Sequence, residues 1–225
     1  MTSSNAKTNV PSSTDTKLEL VRPVAVLGLV LLLGQAALPS TVAAAAPEEG
    51  PRDVMSRTID AAFRILKDKT LAGQAQRSRR IGALREVADR AFDWAEMARS
   101  SLGVKWRSLD AGQRTRFVDV FKNVLAAQYM DDIDRFQGTE KVTIDSVVRE
   151  DPDTLVRTTL VTASRERVPI DYRMRTIDGR WRVVDLSIEG ISLVNHFRKT
   201  FTAALANVSV EDLIARLYRQ LPAAP

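Results

Sequence analysis

Between Val142 and Ile188 the chain repeats one pattern four times, a run rich in β-branched residues closed by a turn signal. The runs are Val142–Val148, Leu155–Thr162, Val168–Thr176 and Trp181–Ile188. Asp151-Pro152-Asp153, Ser164–Arg167 and Asp178-Gly179 separate them. Asp-Gly between two such runs is a strong hairpin signal, so the spacing predicts a four-stranded antiparallel meander. The third run sets the constraint. Ile170, Tyr172 and Met174 point to one side of it, while Asp171, Arg173 and Arg175 point to the other. A sheet of this kind has one apolar and one solvated face, and the apolar face must be covered.

Helical periodicities on both sides of the meander supply the cover. Met55, Ile59, Ala62, Phe63 and Leu66 mark a first amphipathic helix, and Ile81, Leu84, Val87, Ala88 and Ala91 a second beyond a break at Gly73. Phe92-Asp93-Trp94 opens a third, short helix running towards Leu102-Gly103. Asp110 followed by Gln113 has the form of a capping box. Behind it Phe117, Val120, Phe121, Val124, Leu125 and Tyr129 form a stripe on one long helix, expected from Ala111 to Phe136 and ended by Gly138. After the meander, Val194, Phe197, Phe201 and Leu205 stripe another helix, and Ser209 caps a last one carrying Leu213, Ile214 and Leu217. The expected fold class is therefore α+β, with helices wrapping one face of a curved four-stranded antiparallel sheet. A hydrophobic content of 44% is ample for one core. Residues 47–225 read as a single domain, with 47–51 as a short linker.

The residues before that linker have the order of a secretory signal peptide. A polar start with Lys7, Lys17 and Arg22 leads into the apolar run Val24–Leu33, then Pro39-Ser40 and the small-residue run Val42–Ala46. Gly34, Gln35 and Pro39 interrupt the apolar run before the roughly 20 residues that membrane spanning requires. Cleavage near residue 46 and export are expected. The chain has no cysteine, which excludes a lipid-anchored lipoprotein, a disulfide framework and any Cys-based redox or zinc site. Removing residues 1–46 takes away three Lys/Arg and two Asp/Glu and leaves a formal charge of +4. That surplus suits anionic headgroups or acidic partner surfaces better than nucleic acid, from which export would separate the chain.

The junction Trp181–Arg198 joins a strand to a helix through Glu189-Gly190. Here Trp181 and Asp185, Glu189-Gly190-Ile191-Ser192-Leu193 and Phe197-Arg198 resemble the signature of the toluene-tolerance, MlaC-like family of ABC-transporter auxiliary proteins. Phe92-Asp93-Trp94, Leu102-Gly103 with Trp106, and Gln113-Arg114 with Phe117 and Phe121 extend the resemblance over almost all of residues 47–225. Trp94 stands where a second Phe is frequent in the family, and the N-terminal extension is long. The resemblance implies a soluble periplasmic carrier that holds a phospholipid, or a similar lipid such as a hopanoid, by its tails. It implies exchange with an inner-membrane ABC-transporter/MCE-type complex and an outer-membrane lipoprotein–porin complex, and no cofactor.

Such a carrier needs an apolar cavity, because each buried methylene is worth about 0.8 kcal/mol and two bare acyl chains would expose on the order of 20 kcal/mol of apolar surface. The candidate lining is Phe117, Phe121, Val124 and Leu125 on the long helix, Tyr172 and Met174 on the third strand, Val184, Leu186 and Ile188 on the fourth, and Ile191 and Val194 beyond it. Each also has a plainer reading as core. Gly190 reads as a backbone turn, Ser192 as a helix cap, and Asp185 and Glu189 as structural or solvated carboxylates. His196, the sole histidine, has no nucleophile or second metal ligand at a telling spacing. Two other classes remain open. A cone-shaped enzyme pocket would use Asp145, Asp171 or Asp185 for proton transfer, and a bridging adaptor would have a filled core. No Gly-rich phosphate loop is present, so energy for transfer would come from a partner.

Overall fold

The computed structural model describes residues 49–128 and 135–221. The expected signal peptide, Tyr129 and the expected continuation of the long helix through residue 134 lie outside the described residues. Six α-helices and one five-stranded antiparallel sheet make up the rest: α1 Pro51–Lys67, α2 Arg77–Ala91, α3 Trp94–Leu102, α4 Ala111–Gln128, β1 Lys141–Glu150, β2 Asp153–Val161, β3 Arg167–Ile177, β4 Arg180–Ile188, β5 Ile191–Ser192, α5 Leu193–Ala204 and α6 Val210–Gln220. The strands follow sequence order across the sheet.

The α+β class holds, with two corrections. The meander has a fifth strand, two residues long, because Glu189 and Gly190 both take positive φ (50° and 80°) and fold the chain back so that Ile191 pairs with Ile188. The long helix does not reach Phe136. Arg135 lies in a turn and Phe136 is non-helical, packing edge-on against Phe63 of α1 at 5.3 Å.

Local chemistry accounts for the element ends. Asp178 and Gly179 adopt φ of 49° and 74°, the left-handed pair that a two-residue hairpin demands, and join β3 to β4. At the start of α4, the Gln113 amide donates to Asp110 Oδ1 at 2.8 Å and the Asp110 amide to Gln113 Oε1 at 3.1 Å, a reciprocal capping box. Asp93 caps α3 through the Glu96 amide (2.8 Å), and Ser209 caps α6 through the Asp212 amide (3.1 Å).

The core lies between the inner sheet face and the helices. Phe117 and Phe121 of α4 meet Phe197 and Phe201 of α5 in edge-on contacts at 5.5 Å (Phe117–Phe201) and 5.3 Å (Phe121–Phe197), and all four rings are buried. Such pairs contribute about 0.5–1.5 kcal/mol each beyond the area they bury. Register places Val168, Ile170, Tyr172 and Met174 opposite Leu160, Thr158, Val156 and Thr154 of β2, so the expected alternation of β3 is the observed one. In β4 a bulge intervenes. Val183 stands opposite Met174 and Asp185 opposite Arg173, leaving Val184 as the extra residue.

Candidate functional site

An apolar pocket of about 200 Å³ opens where α2 stands off from α3, α4 and the sheet. Ile81, Leu84 and Ala88 of α2 form one wall, Leu125 and Ala126 of α4 another. Phe92, Trp94, Met97, Leu186 of β4 and Leu193 of α5 complete it.

The Phe92-Asp93-Trp94 segment holds these walls in register. Phe92 bridges to Val183, and the Asp93 amide donates to the Val183 carbonyl at 2.9 Å, so the α2–α3 corner is pinned to the bulged part of β4. The rings of Phe92 and Trp94 stack at 5.0 Å with planes 9° apart, and both also line a neighbouring polar cleft. Trp94 fits where a second Phe is expected because its extra donor is used: its Nε1–H donates to Asp89 Oδ1 at 2.8 Å.

Three charged side chains, Arg85, Asp89 and Lys122, also line the pocket. Asp89 is exposed and the other two are half-buried, which puts them at its mouth. Lys122 Nζ lies 2.6 Å from Asp89 Oδ2, so with Trp94 the Asp89 carboxylate has both oxygens engaged. Arg85, one helical turn before Asp89, has a buried Nε with no hydrogen-bond partner among the described residues.

Of the residues expected to line a cavity, the structure brings Leu125 and Leu186 into this pocket. Tyr172 stands directly across from Leu186 on β3, and burial pushes its hydroxyl pKa far above the usual tyrosine range. Phe117, Phe121, Val124, Met174, Ile188 and Val194 are buried in the core cluster, and Val184 is buried at the bulge; none of them lines this pocket. Ile191 is 49% exposed, since it sits on the two-residue edge strand β5. The sequence reading missed the whole α2 wall, together with Trp94, Met97 and Leu193. The signal is present in the Ile81, Leu84, Ala88 stripe and in the Phe92–Trp94 pair, which by themselves mark only helices.

The polar residues of the junction have structural work. Asp185 Oδ1 accepts from the amides of Leu186 (2.8 Å) and Val194 (3.1 Å), and Ser192 Oγ donates to Oδ2 at 2.5 Å. Ser192 in turn accepts from the Asn195 amide at 3.1 Å, which caps α5, and Arg198 Nε donates to the Ser100 carbonyl at 2.8 Å, which ties α5 to α3. Asp145 accepts from Thr143 and Thr159 through its two oxygens. Burial raises the Asp171 carboxyl pKa, against the opposing pull of Arg157. None of these three acids lines the pocket. Burial, with Lys199 nearby, lowers the His196 pKa.

A helical layer over one face of an antiparallel sheet, with an apolar pocket at its open side and cations at the mouth, defines an α+β domain with an amphipathic pocket. A family model described as "MlaC protein" matches residues 56–219. The chain belongs to the MlaC family. Among solved structures it is similar to the phospholipid-binding protein from Ralstonia solanacearum in complex with a phospholipid, with a TM-score of 0.65 at 20% identity, covering 74% of this chain and 93% of that one. At that identity the likeness concerns the fold. Among curated proteins nothing matches.

Proposed function

We propose that this chain is a periplasmic lipid carrier. It takes up a phospholipid, or a lipid of similar shape, by its tails and passes it between an inner-membrane ABC-transporter/MCE-type complex and an outer-membrane complex. The observation that carries the reading is the apolar pocket between α2, α4 and Leu186 in a chain of the MlaC family. The phospholipid in the R. solanacearum structure supports the choice of ligand. Residues 1–46 would direct export and be removed. Among the described residues no helix is long and apolar enough to cross a membrane. The carboxylates weighed for proton transfer stand outside the pocket, which favours a binding role over an enzymatic one.

The test is to recover the protein from the periplasm and identify what organic solvent extracts from it. About one phospholipid per chain is expected, with a mature N-terminus near residue 47. Leu186→Glu, which sets a carboxylate against the tails, should come out folded but empty. Wild-type protein free of lipid would overturn the carrier.

A further inference from the structure

We infer that the mouth of the pocket is a headgroup site for a singly anionic phosphodiester, with Arg85 as the residue that selects it. The inference rests on the lipid-carrier reading and adds a charge preference to it. Three observations lead there. Arg85 lines the apolar pocket, yet its Nε is buried with no partner among the described residues. A buried donor left unpaired is destabilising, and an incoming acceptor would relieve it.

The carboxylates that could have paired with it are engaged elsewhere. Asp89, four residues on, holds Lys122 at 2.6 Å and Trp94 at 2.8 Å, while Glu86 lies 4.0 Å from Arg90. The mouth therefore carries two cations, Arg85 and Lys122, against the one carboxylate of Asp89. Its surplus is a single positive charge.

That surplus is local. The neighbouring polar cleft sets Arg180 and Arg182 against Asp93 and Asp178, and the Arg182 guanidinium donates to the Asp89 and Arg90 carbonyls. An amphiphile whose tails enter between α2 and α4 leaves its head at Arg85 and Lys122. A guanidinium offers a planar fork of donors that fits two phosphate oxygens. A head of net charge −1 neutralises the mouth. A zwitterionic head brings its own ammonium group and leaves the surplus uncompensated.

The experiment presents delipidated wild-type protein with vesicles of phosphatidylglycerol and phosphatidylethanolamine, mixed one to one with identical acyl chains. The protein is re-isolated and its lipid counted by mass spectrometry. Wild type should carry phosphatidylglycerol in about three- to tenfold excess, the range expected of one charge-assisted contact at a partly exposed site. Arg85→Gln should bring the ratio of the two lipids on the protein down to that of the vesicles. Arg79→Gln removes an exposed charge of the same helix from outside the pocket and should keep the excess. Lipid bound by wild type in the vesicle ratio would overturn the headgroup site while leaving the carrier intact, as would an excess that survives Arg85→Gln. An excess lost equally in Arg79→Gln would overturn it too, by showing general surface charge at work. No lipid on wild-type protein would instead bring down the carrier reading.

Discussion

Filling the pocket should raise stability and lower lipid affinity together, a pair of signs that separates a binding site from a packing defect. Ala126 lines the pocket on α4 beside Leu125 and Lys122. Ala126→Phe adds about 100 Å³ of side chain, the liquid volume of three to four water molecules. That is half of the roughly 200 Å³ available. With a methylene close in size to a water molecule, about 30 Å³, the ring displaces three to four methylenes. At about 0.8 kcal/mol each the loss is about 3 kcal/mol, or roughly a hundredfold in affinity. Without lipid, filling a void at about 24 cal/mol per Å³ gives up to about 2 kcal/mol of added stability. The assay pairs denaturant unfolding of delipidated protein with the amount of lipid it retains after exposure to vesicles. Lipid retained at the wild-type level would refute the assignment of tails to this pocket. A stability loss of the same size would show that α2 already closes on the space.

Two further outcomes follow from the junction and from the α3–sheet contact. Asp185→Ala leaves the Leu186 and Val194 amides and Ser192 Oγ without their acceptor and should cost about 3 kcal/mol, lowering Tm by about 6–12 °C; Asp185→Asn should recover about half, and a change within 0.5 kcal/mol would refute the capping role. Burial opposes ionisation of Glu96, yet Arg99 at 2.7 Å and Arg175 at 3.2 Å together hold its carboxyl below 4.5. A folded pKa below the unfolded one gives stability that is present above the unfolded value and lost as pH falls through the folded one. Wild-type Tm should therefore drop more steeply than that of Glu96→Gln between roughly pH 5 and pH 3, and parallel curves would refute this.

The sheet was legible because period-two alternation between turn residues carries strand limits and register together. Asp178-Gly179 could hardly be anything but the hairpin it forms. Alternation failed at two places: at Asp145 of β1, where the register shifts between Ile144 and Ser146, and at Val184 of β4, where Val183 instead of Val184 stands opposite Met174. The cause at Val184 is not local to β4, since the α2–α3 corner pins Val183 through Phe92 and Asp93, and no reading of the strand by itself contains that contact. The candidate site was half legible for a related reason. A stripe on α4 says which side chains turn inward, and Phe117, Phe121 and Leu125 all do. It does not say how near the facing element comes. Where α5 presents Phe197 and Phe201 the space is filled; where α2 stands opposite Leu125 and Ala126 it is open. Met174, expected in the cavity, is fully buried instead, so a charge there would test folding before it tested lipid.

The same division of α4 indicates which side of the molecule would yield were a lipid to enter. The described pocket, at about 200 Å³, is small beside two long acyl chains, so taking up both tails would require the walls to part. The α5 side resists this. Four interlocked phenyl rings, the Arg198–Ser100 bond and the Asp185–Ser192 cap join α3, α4, α5 and β4 into one packed body, and close-packed cores do not deform smoothly. The α2 side is built otherwise. Two short 3-10 turns lead into it, Lys69–Leu71 before and Gln74–Gln76 after Gly73 at φ 84°, and its far end is held through the corner at Phe92. Its charged contact across the mouth is the Asp89–Lys122 pair, a partly exposed bridge worth about 1 kcal/mol or less. On the headgroup proposal, a phosphodiester that draws Lys122 away from Asp89 would break that bridge as it binds. On that reading the Arg85–Lys122 mouth would couple arrival of the head to loosening of the wall that the tails must pass.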